Sequence, residues 1–336
     1  MRIVSALLLA VGAAASLPAA KTLDIYFIDV EGGQATLLVS PSGQSMLVDT
    51  GFPGHSGRDA TRIANVAKKA GVKKIDYLVI THHHSDHVGG VTQLAEKLPV
   101  TNVIDHGDTV ESGKGADQLA AAYKEFLTSR KRITVKPGDP IPVKGLDIVV
   151  LAAHGQRIPA ARPGAGAPNP LCASAQQKAE DKTDNAQSVG FLLKFGNFSF
   201  IDLGDLTWNK ELELVCPDNL IGEVDVYLTT HHGMNTSGPE QIVHALKPRV
   251  AVMNNGARKA GSPSAWQIIR KSPGLEDLWQ LHYAMAGGQD NNSPDSFIAN
   301  PEERCEGHYL KLTANQDGSF TVLNTRNKYQ KTYARQ

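Results

Sequence analysis

The chain has 336 residues, and its 34 Lys and Arg are balanced by 34 Asp and Glu, so the formal net charge is zero. Hydrophobic residues make up 41% and charged residues 20% of the sequence, which excludes collagen-like and largely disordered chains. Neutrality also argues against a nucleic-acid carrier that binds through bulk positive charge, although an enzyme with a local basic groove would still be allowed.

The first twenty residues have the pattern of a secretory signal peptide. Arg2 precedes an apolar run from Ile3 to about Ala15, and small residues follow at Ala19 and Ala20. The run is shorter than the roughly 20 apolar residues that span a bilayer. We therefore expect cleavage and export to the periplasm or the medium, with no transmembrane segment in the mature chain.

Short apolar and β-branched runs alternate with helical patterns along the rest of the chain. The predicted strands cover 23–30, 35–40, 45–49, 75–80, 100–104, 148–151, 188–194, 198–202, 224–229 and 250–253. The predicted helices cover about 60–67, 91–98, 116–130, 239–246 and 264–271. This mixture predicts a layered α/β fold.

The segment from about 155 to 183 is rich in Pro, Ala, Gly and Lys, which indicates one long surface loop. A domain linker is the alternative, but the strands that follow need other elements to cover them. The chain closes with a hairpin predicted over 308–313 and 319–324. We therefore expect a single domain over residues 21–336, and its oligomeric state is unknown from the sequence.

Three cysteines give limited information about metal binding and redox state. Cys172, Cys216 and Cys305 have no CxxC spacing, so they do not form a zinc site by themselves. They allow at most one internal disulfide, which leaves at least one thiol.

A histidine-rich segment, THHHSDHVGG, runs from Thr81 to Gly90 directly after the strand predicted over 75–80. Imidazole and carboxylate groups on the turn that leaves a buried strand form a set of ligands for a zinc-like ion. A solvated His-rich loop is the alternative, but such loops are normally low-complexity and flanked by polar residues. In an extended chain His82 and His84 project to one side and His83 to the other, so His83 is predicted not to bind metal.

Two later strand ends carry groups of the same kind. Asp205 follows the strand predicted over 198–202, where Gly204 lets the backbone turn, and His231-His232-Gly233 follows the strand over 224–229. Alone, each is weak evidence, because a carboxylate after a strand is often a helix cap and a single His often packs. Together with the first cluster they suit a two-metal centre with a bridging carboxylate.

This combination resembles the metallo-β-lactamase-fold hydrolases. The matching residues are His82, His84, Asp86 and His87, preceded by Asp49-Thr50-Gly51 and followed by Gly204-Asp205 and His231-His232-Gly233. Residues 27–34, FIDVEGGQ, together with Asn185 and Ser188, are most similar to the branch of the competence DNA-uptake hydrolase domain and the secreted phosphorylcholine esterases. The resemblance implies an αββα four-layer sandwich with metals at one edge and hydrolytic activity, often on phosphoesters.

The resemblance also implies ligands for two divalent ions, either zinc or, as the alternative, manganese. They are His82 and His84 for the first ion, Asp86, His87 and His231 for the second, and Asp205 as the bridge. His231 is preferred to His232 because adjacent side chains of an extended segment point to opposite faces. Asp86 is also predicted to be catalytic by orienting the nucleophile, and Asp49 to hold ligand imidazoles by hydrogen bonds.

The chain departs from the family where many members carry a further His ligand. It has TDNAQS, from Thr183 to Ser188, at that place. Either the first ion has fewer protein ligands, or Asp184, Asn185 or His154 supplies one. Ser262 also replaces a His of the DNA-uptake branch, which weakens a prediction of nuclease activity.

The predicted chemistry is hydrolysis by water activated at two metal ions, on a small-molecule phosphoester or phosphodiester, with nucleic acid as a further candidate. Lys259 and His282 are candidates for contacting substrate charge or the leaving group. Hydrolysis of a β-lactam or lactone is the alternative within the same fold. A non-catalytic binding module stabilised by metal is the alternative from another class.

Overall fold

The computed structural model describes residues 22–335, so the leader predicted over residues 1–20 lies outside the described part of the chain. The strands are β1 (Leu23–Phe27), β2 (Thr36–Val39), β3 (Ser45–Val48), β4 (Ile75–Val79), β5 (Val100–Asp105), β6 (Lys131–Thr134), β7 (Asp147–Ala153), β8 (Gln156–Arg157), β9 (Gly190–Phe195), β10 (Phe198–Asp202), β11 (Val226–Leu228), β12 (Val250–Met253), β13 (Asp277–His282), β14 (Ile298–Asn300), β15 (Leu310–Ala314), β16 (Phe320–Asn324) and β17 (Gln330–Tyr333). The helices are α1 (Arg58–Lys69), α2 (Val91–Ala95), α3 (Lys114–Leu127), α4 (Trp208–Val215), α5 (Glu240–Leu246) and α6 (Pro263–Arg270).

The strands form two sheets. The first has the order β17-β16-β15-β1-β2-β3-β4-β5-β6, and the second has the order β14-β13-β12-β11-β10-β9-β7-β8. Strands β3 to β6 pair in parallel in the first sheet, and β10 to β14 pair in parallel in the second. Because parallel strands end at the same edge, the segments that follow β10 and β11 leave the second sheet side by side.

Three apolar layers hold the sheets and helices together. In the central layer Phe27 of the first sheet lies near Phe200 of the second, with ring centroids 6.0 Å apart. Ile63 of α1 packs in the layer outside the first sheet, and Ile242 of α5 packs in the layer outside the second. The order of helices, sheet, sheet and helices confirms the αββα sandwich.

The predicted strands and helices are present with small shifts of their ends, and the closing hairpin is β15 and β16. Strands β6 and β17 were not predicted from the sequence. Both are edge strands with exposed polar residues, so they lack the apolar alternation that marks a strand. The sequence also missed the eight-residue helix α4 and the strand β13, which is buried along most of its length. Within residues 22–335, no helix combines the length and apolarity needed to cross a bilayer.

The Pro- and Ala-rich segment predicted as a loop is tied to the rest of the fold. It contains the short strand β8 and a 3-10 turn over Pro170–Ser174. A disulfide joins Cys172 in that turn to Cys216 at the end of α4, and Cys305 is a free thiol.

Candidate metal centre

The loop after β4 is fixed by Asp49, which lies just beyond β3. Its Oδ1 accepts the Thr81 N–H at 2.8 Å, and its Oδ2 accepts the Thr81 hydroxyl at 2.6 Å. The same Oδ2 lies 2.7 Å from His87 Nδ1. Asp49 is fully buried and has φ 59°, a left-handed conformation that is uncommon outside glycine. These contacts leave Nε2 of His87 facing away from Asp49.

Four buried side chains converge at the edge of the sheets: Asp86, His87, Asp205 and His232. His87 Nε2 lies 3.2 Å from His232 Nε2 and 3.2 Å from Asp205 Oδ2. Asp86 Oδ2 lies 3.5 Å from His87 Nε2 and 3.4 Å from His232 Nε2. His232 Nε2 is also 3.3 Å from Asp205 Oδ1.

This spacing fits a divalent metal ion. One ligand atom from each of the four side chains lies within 4.8 Å of the others, close enough for imidazole and carboxylate groups to share a cation. Two imidazole nitrogens that face each other between two carboxylates make a ligand set for a cation. The site is therefore a His and Asp cluster suited to a dinuclear metal site, with His82 and His84 beside it.

His82 provides a second sign that a cation belongs here. The ring is fully buried and its Nε2 has no hydrogen-bond partner, while Nδ1 lies 3.2 Å from the Thr81 hydroxyl. Burial, together with the charge on His87, holds the pKa of His82 well below its usual value. The ring is therefore neutral and can offer a lone pair, and Nε2 lies 4.0 Å from Asp205 Oδ2.

Asp205 reaches the site because the chain turns sharply after β10. Gly204 has φ +55°, and a Cβ there would lie 2.9 Å from the Thr81 Cβ. The prediction that Gly204 permits this turn is confirmed. Burial alone would raise the pKa of Asp205, but the charges of His232 and His87 hold it well below its usual value, so the carboxylate is ionised.

The two histidines after β11 are not in an extended segment, and the expectation that their rings point to opposite faces is wrong. His231 and His232 lie in a 3-10 turn with φ values of 54° and 55°. This left-handed backbone brings both rings to Asp205: His231 Nε2 lies 3.3 Å from Oδ2 and His232 Nε2 lies 3.3 Å from Oδ1. His232, which the sequence ranked second, is the one grouped with Asp86 and His87.

His84 is held by a residue that the sequence did not single out. Its Nε2 lies 2.9 Å from Glu111 Oε1, and the same oxygen accepts the Asp184 N–H at 2.9 Å. The rings of His82 and His84 lie with centroids 4.6 Å apart. Glu111 is in the segment after β5, 27 residues from His84, and no local motif marks it.

The structure does not bring Asp184 or His154, the expected substitutes for the missing His, to this centre. Asp184 Oδ2 accepts from the His83 backbone and faces the His83 and His106 rings, and Oδ1 accepts from Thr109 and Val110. Burial alone would raise the pKa of Asp184, but hydrogen bonds from His106 and His83 lower it. Asp184 thus ties His83 to the segment after β5, and His154 is exposed with its ring 6.3 Å from that of His106.

A lysine lies at the mouth of the centre. Lys259 Nζ contacts Asp86 Oδ2 and lies 5.0 Å from the centroid of the Phe52 ring. The Lys259 carbonyl accepts the Gly256 N–H at 2.9 Å, and Gly261 donates to the His232 carbonyl at 3.2 Å. The loop that carries Lys259 is therefore hydrogen-bonded to the loop that carries His231 and His232, named the histidine doublet below.

His282, the other candidate for contacting the substrate, belongs to a separate buried cluster. Its Nε2 lies 2.8 Å from Asp29 Oδ1, and Asp29 Oδ2 accepts from Arg62 at 2.7 Å. Cys305 Sγ lies 3.2 Å from the same Asp29 Oδ2. Because the guanidinium already neutralises Asp29, these contacts join the segment after β1 to β13 rather than form a substrate site.

Comparison with known proteins gives the same picture. Residues 28–167 match the profile of the Metallo-beta-lactamase superfamily. The chain is 24% identical over 248 residues to ComE operon protein 3 of Bacillus subtilis (strain 168), covering 69% of this chain and 28% of that protein. It is 24% identical over 236 residues to Recombination protein 2 of Haemophilus influenzae, covering 70% of this chain and 24% of that protein.

The chain thus spans about a quarter of the length of these two curated relatives. Among solved structures, the metallo-beta-lactamase fold protein YhfI from Bacillus subtilis is similar with a TM-score of 0.46 and 11% identity, over 77% of this chain and 95% of that one. The profile match, the sheet order and the histidine and aspartate cluster have one common explanation. Residues 28–167 carry a metallo-beta-lactamase superfamily domain, and the two sheets and the histidine and aspartate cluster agree with that hydrolase fold.

Proposed function

We propose that this protein is an exported metal-dependent hydrolase of an anionic phosphoester, with phosphodiesters as the preferred substrates. The observation that carries the proposal is the contact of the Lys259 ammonium with Asp86 at the mouth of the cluster. A lysine there suits a substrate that carries negative charge, because a charge-assisted hydrogen bond to a phosphoryl oxygen is stronger than one to a neutral group.

The side chains proposed to hold two divalent ions are His82, His84, Asp86, His87, Asp205 and the histidine doublet. Bound divalent ions acidify water and stabilise the negative charge that develops on the substrate. The mixed nitrogen and oxygen donors are compatible with zinc and with manganese.

The chain's own residues position the reactants. Asp86 would orient the attacking water through its carboxylate, and Lys259 would turn from Asp86 to an oxygen of the bound phosphoester. Asp49 keeps His87 in the orientation in which Nε2 faces the site, through the 2.7 Å contact with Nδ1. The near-complete burial of Asp86, His87 and Asp205 limits water at the reacting centre.

Export is proposed from two features. One is the leader pattern over residues 1–20, and the other is the Cys172–Cys216 disulfide, since disulfides persist mainly in oxidising compartments. Fractionation of cells that produce the full chain with a C-terminal tag tests this. Shortened protein in the periplasm or medium is expected, and full-length protein retained in the cytoplasm would contradict it.

The reaction is tested with purified protein loaded with zinc or manganese. We expect turnover of bis(p-nitrophenyl) phosphate that is lost with a chelator and restored by metal. Linear DNA, included in the same assay, decides whether a nucleic acid is also cleaved. Turnover of nitrocefin or a lactone without the diester would contradict the proposal, and tightly bound metal without any turnover would favour a binding module.

The role of Lys259 is tested by Lys259→Met. We expect the KM for the diester to rise about tenfold, the value of one charge-assisted hydrogen bond of about 1.5 kcal/mol. The kcat/KM for the neutral ester p-nitrophenyl acetate should stay within a factor of two or so, because no substrate charge is lost. Arg258→Met is the matched control, since Arg258 is exposed and pairs with Glu303. An equal loss on both substrates in Lys259→Met would contradict the assignment.

A further inference from the structure

We infer that the histidine doublet is divided between the two ions: His231 binds the first, in place of the family's missing His, and His232 binds the second. The inference rests on the two-metal site proposed above and deepens it. It assigns the ligand that neither the sequence pattern nor the family resemblance supplies.

The backbone conformation of His231 and His232 directs their rings to different oxygens of Asp205. Two adjacent residues in the left-handed region, at φ 54° and 55°, are strained for histidine and persist where the surrounding structure demands them. Their effect is that the two Nε2 atoms face different oxygens of one carboxylate. His231 Nε2 lies 3.3 Å from Asp205 Oδ2, and His232 Nε2 lies 3.3 Å from Asp205 Oδ1.

The Nδ1 atom of each ring in the doublet has its own neighbours. His231 Nδ1 lies 3.1 Å from the Thr236 hydroxyl and 3.3 Å from the Ser237 hydroxyl. Ser237 donates to the Leu206 carbonyl, so its oxygen is able to accept a hydrogen bond from the Nδ1–H of His231. His232 Nδ1 instead lies 3.0 Å from the side-chain amide of Asn254. Both rings therefore present Nε2 to Asp205.

The two histidines of the doublet differ in the side chains that surround the Asp205 oxygen they contact. Asp205 Oδ2 lies 3.3 Å from His231 Nε2, 3.2 Å from His87 Nε2 and 4.0 Å from His82 Nε2, which has no hydrogen-bond partner. Its Oδ1 lies near His232, which is already grouped with Asp86 and His87. His231 thus shares Asp205 Oδ2 with His82 and lies outside the group that His232 forms with Asp86 and His87.

The other candidates for the missing ligand have different tasks. Asp184 uses both oxygens on His83, His106 and the segment after β5, and His154 is exposed. Glu111 contacts Nε2 of His84 and orients that ring from outside. Asn185, whose buried Oδ1 has no hydrogen-bond partner, offers an amide oxygen and not an imidazole. Of the histidines that contact Asp205 in the described chain, His231 is the one that has no ion assigned by the resemblance once His232 takes the second site.

Metal counting on single variants tests the division. The full mature chain and the variants His231→Gln, His232→Gln and His154→Gln are loaded with Mn²⁺ and dialysed, and bound manganese is measured by mass spectrometry and by electron paramagnetic resonance. We expect two coupled ions in the wild type and in His154→Gln. His231→Gln should hold one uncoupled ion, with its second binding constant weakened at least a hundredfold, and His232→Gln should weaken the other ion.

A gentler pair of changes keeps the test decisive if His231→Gln does not fold. Thr236→Val together with Ser237→Ala removes the hydroxyls at Nδ1 and should weaken one ion about 10- to 100-fold without affecting the other. Two coupled ions of unchanged affinity in both His231→Gln and the double variant would overturn the inference. So would loss of the same ion in His231→Gln and His232→Gln. Diester turnover by the wild type is scored separately, so failure of the proposed function is distinguishable from failure of this assignment.

Discussion

The two halves of the metal centre differ in how firmly the fold prepares them. Asp86, His87 and His232 are buried, and their ligand atoms lie 3.2 to 3.5 Å apart. On the other half, His82 Nε2 is 4.0 Å from Asp205, and the His84 side chain is 30% exposed. We therefore expect folding alone to assemble the first of these ion sites, and we expect the other to be more open toward solvent on the side of His84.

The difference has a structural origin. The buried half draws its ligands from three separate loops, after β4, β10 and β11, and Asp49 fixes one of its rings from behind. His84 of the open half is held by Glu111, whose side chain is itself 27% exposed. We therefore expect the buried half to bind its ion more tightly and the open half to receive the substrate.

The largest effect should come from Asp205→Asn, which removes the carboxylate shared by both halves. The ionised group faces His82, His87, His231 and His232, so its loss should weaken both ions and reduce diester turnover by more than about a hundredfold. Metal content and turnover are measured together. Asp108→Asn, at an exposed acid paired with Arg132, is the control. Retention of two ions by Asp205→Asn would contradict the claim that both halves share this carboxylate.

Intermediate effects are expected from two variants that each act on one half of the centre. Asp49→Asn loses the acceptor for His87 Nδ1 and should weaken the tighter ion about 10- to 100-fold. Glu111→Gln acts on His84 and should weaken only the other ion, by about tenfold. Calorimetric titration of each metal-free variant measures the two binding constants. Weakening of the same ion by both variants would contradict the division of the centre into two halves.

A smaller effect concerns Glu211 of α4, a buried side chain that contacts the segment following the histidine doublet. Burial raises the pKa of Glu211 to about 8 from 4.5, and its Oε2 accepts the Gly238 N–H at 2.6 Å. A raised pKa means that the folded state binds this proton more tightly. The resulting stability is therefore full below about pH 4.5 and is lost as the pH rises through about 8. Glu211→Gln should show a smaller drop in melting temperature between pH 5 and pH 9 than the wild type, and an equal drop would contradict the assignment.

The local sequence was sufficient to predict candidate ligands where a single loop carries several of them. The segment from His82 to His87 follows a recognisable strand, and Gly204 marks the turn that presents Asp205. The confirmed αββα sandwich follows from the alternation of strands and helices, together with the resemblance. These features depend on short-range pattern, which is what a single sequence contains.

The rest depends on contacts between distant segments. Glu111 meets His84 and Asn254 meets His232 only after the sheets have assembled. The left-handed backbone of the doublet could not be inferred, because histidine is an uncommon residue in that region and an extended chain is the default. Asp184 occupies nearly the expected position in the sequence, yet its hydrogen bonds turn it toward His83.

The most direct test is diester turnover measured while metal is added to the metal-free protein. We expect little turnover while the first equivalent fills the buried half, and then a rise as the second equivalent fills the half of His82 and His84. The chelator-treated protein provides the baseline, and bis(p-nitrophenyl) phosphate is the substrate. Full turnover at one equivalent, or none at two, would contradict a phosphodiesterase with one tight and one open metal site.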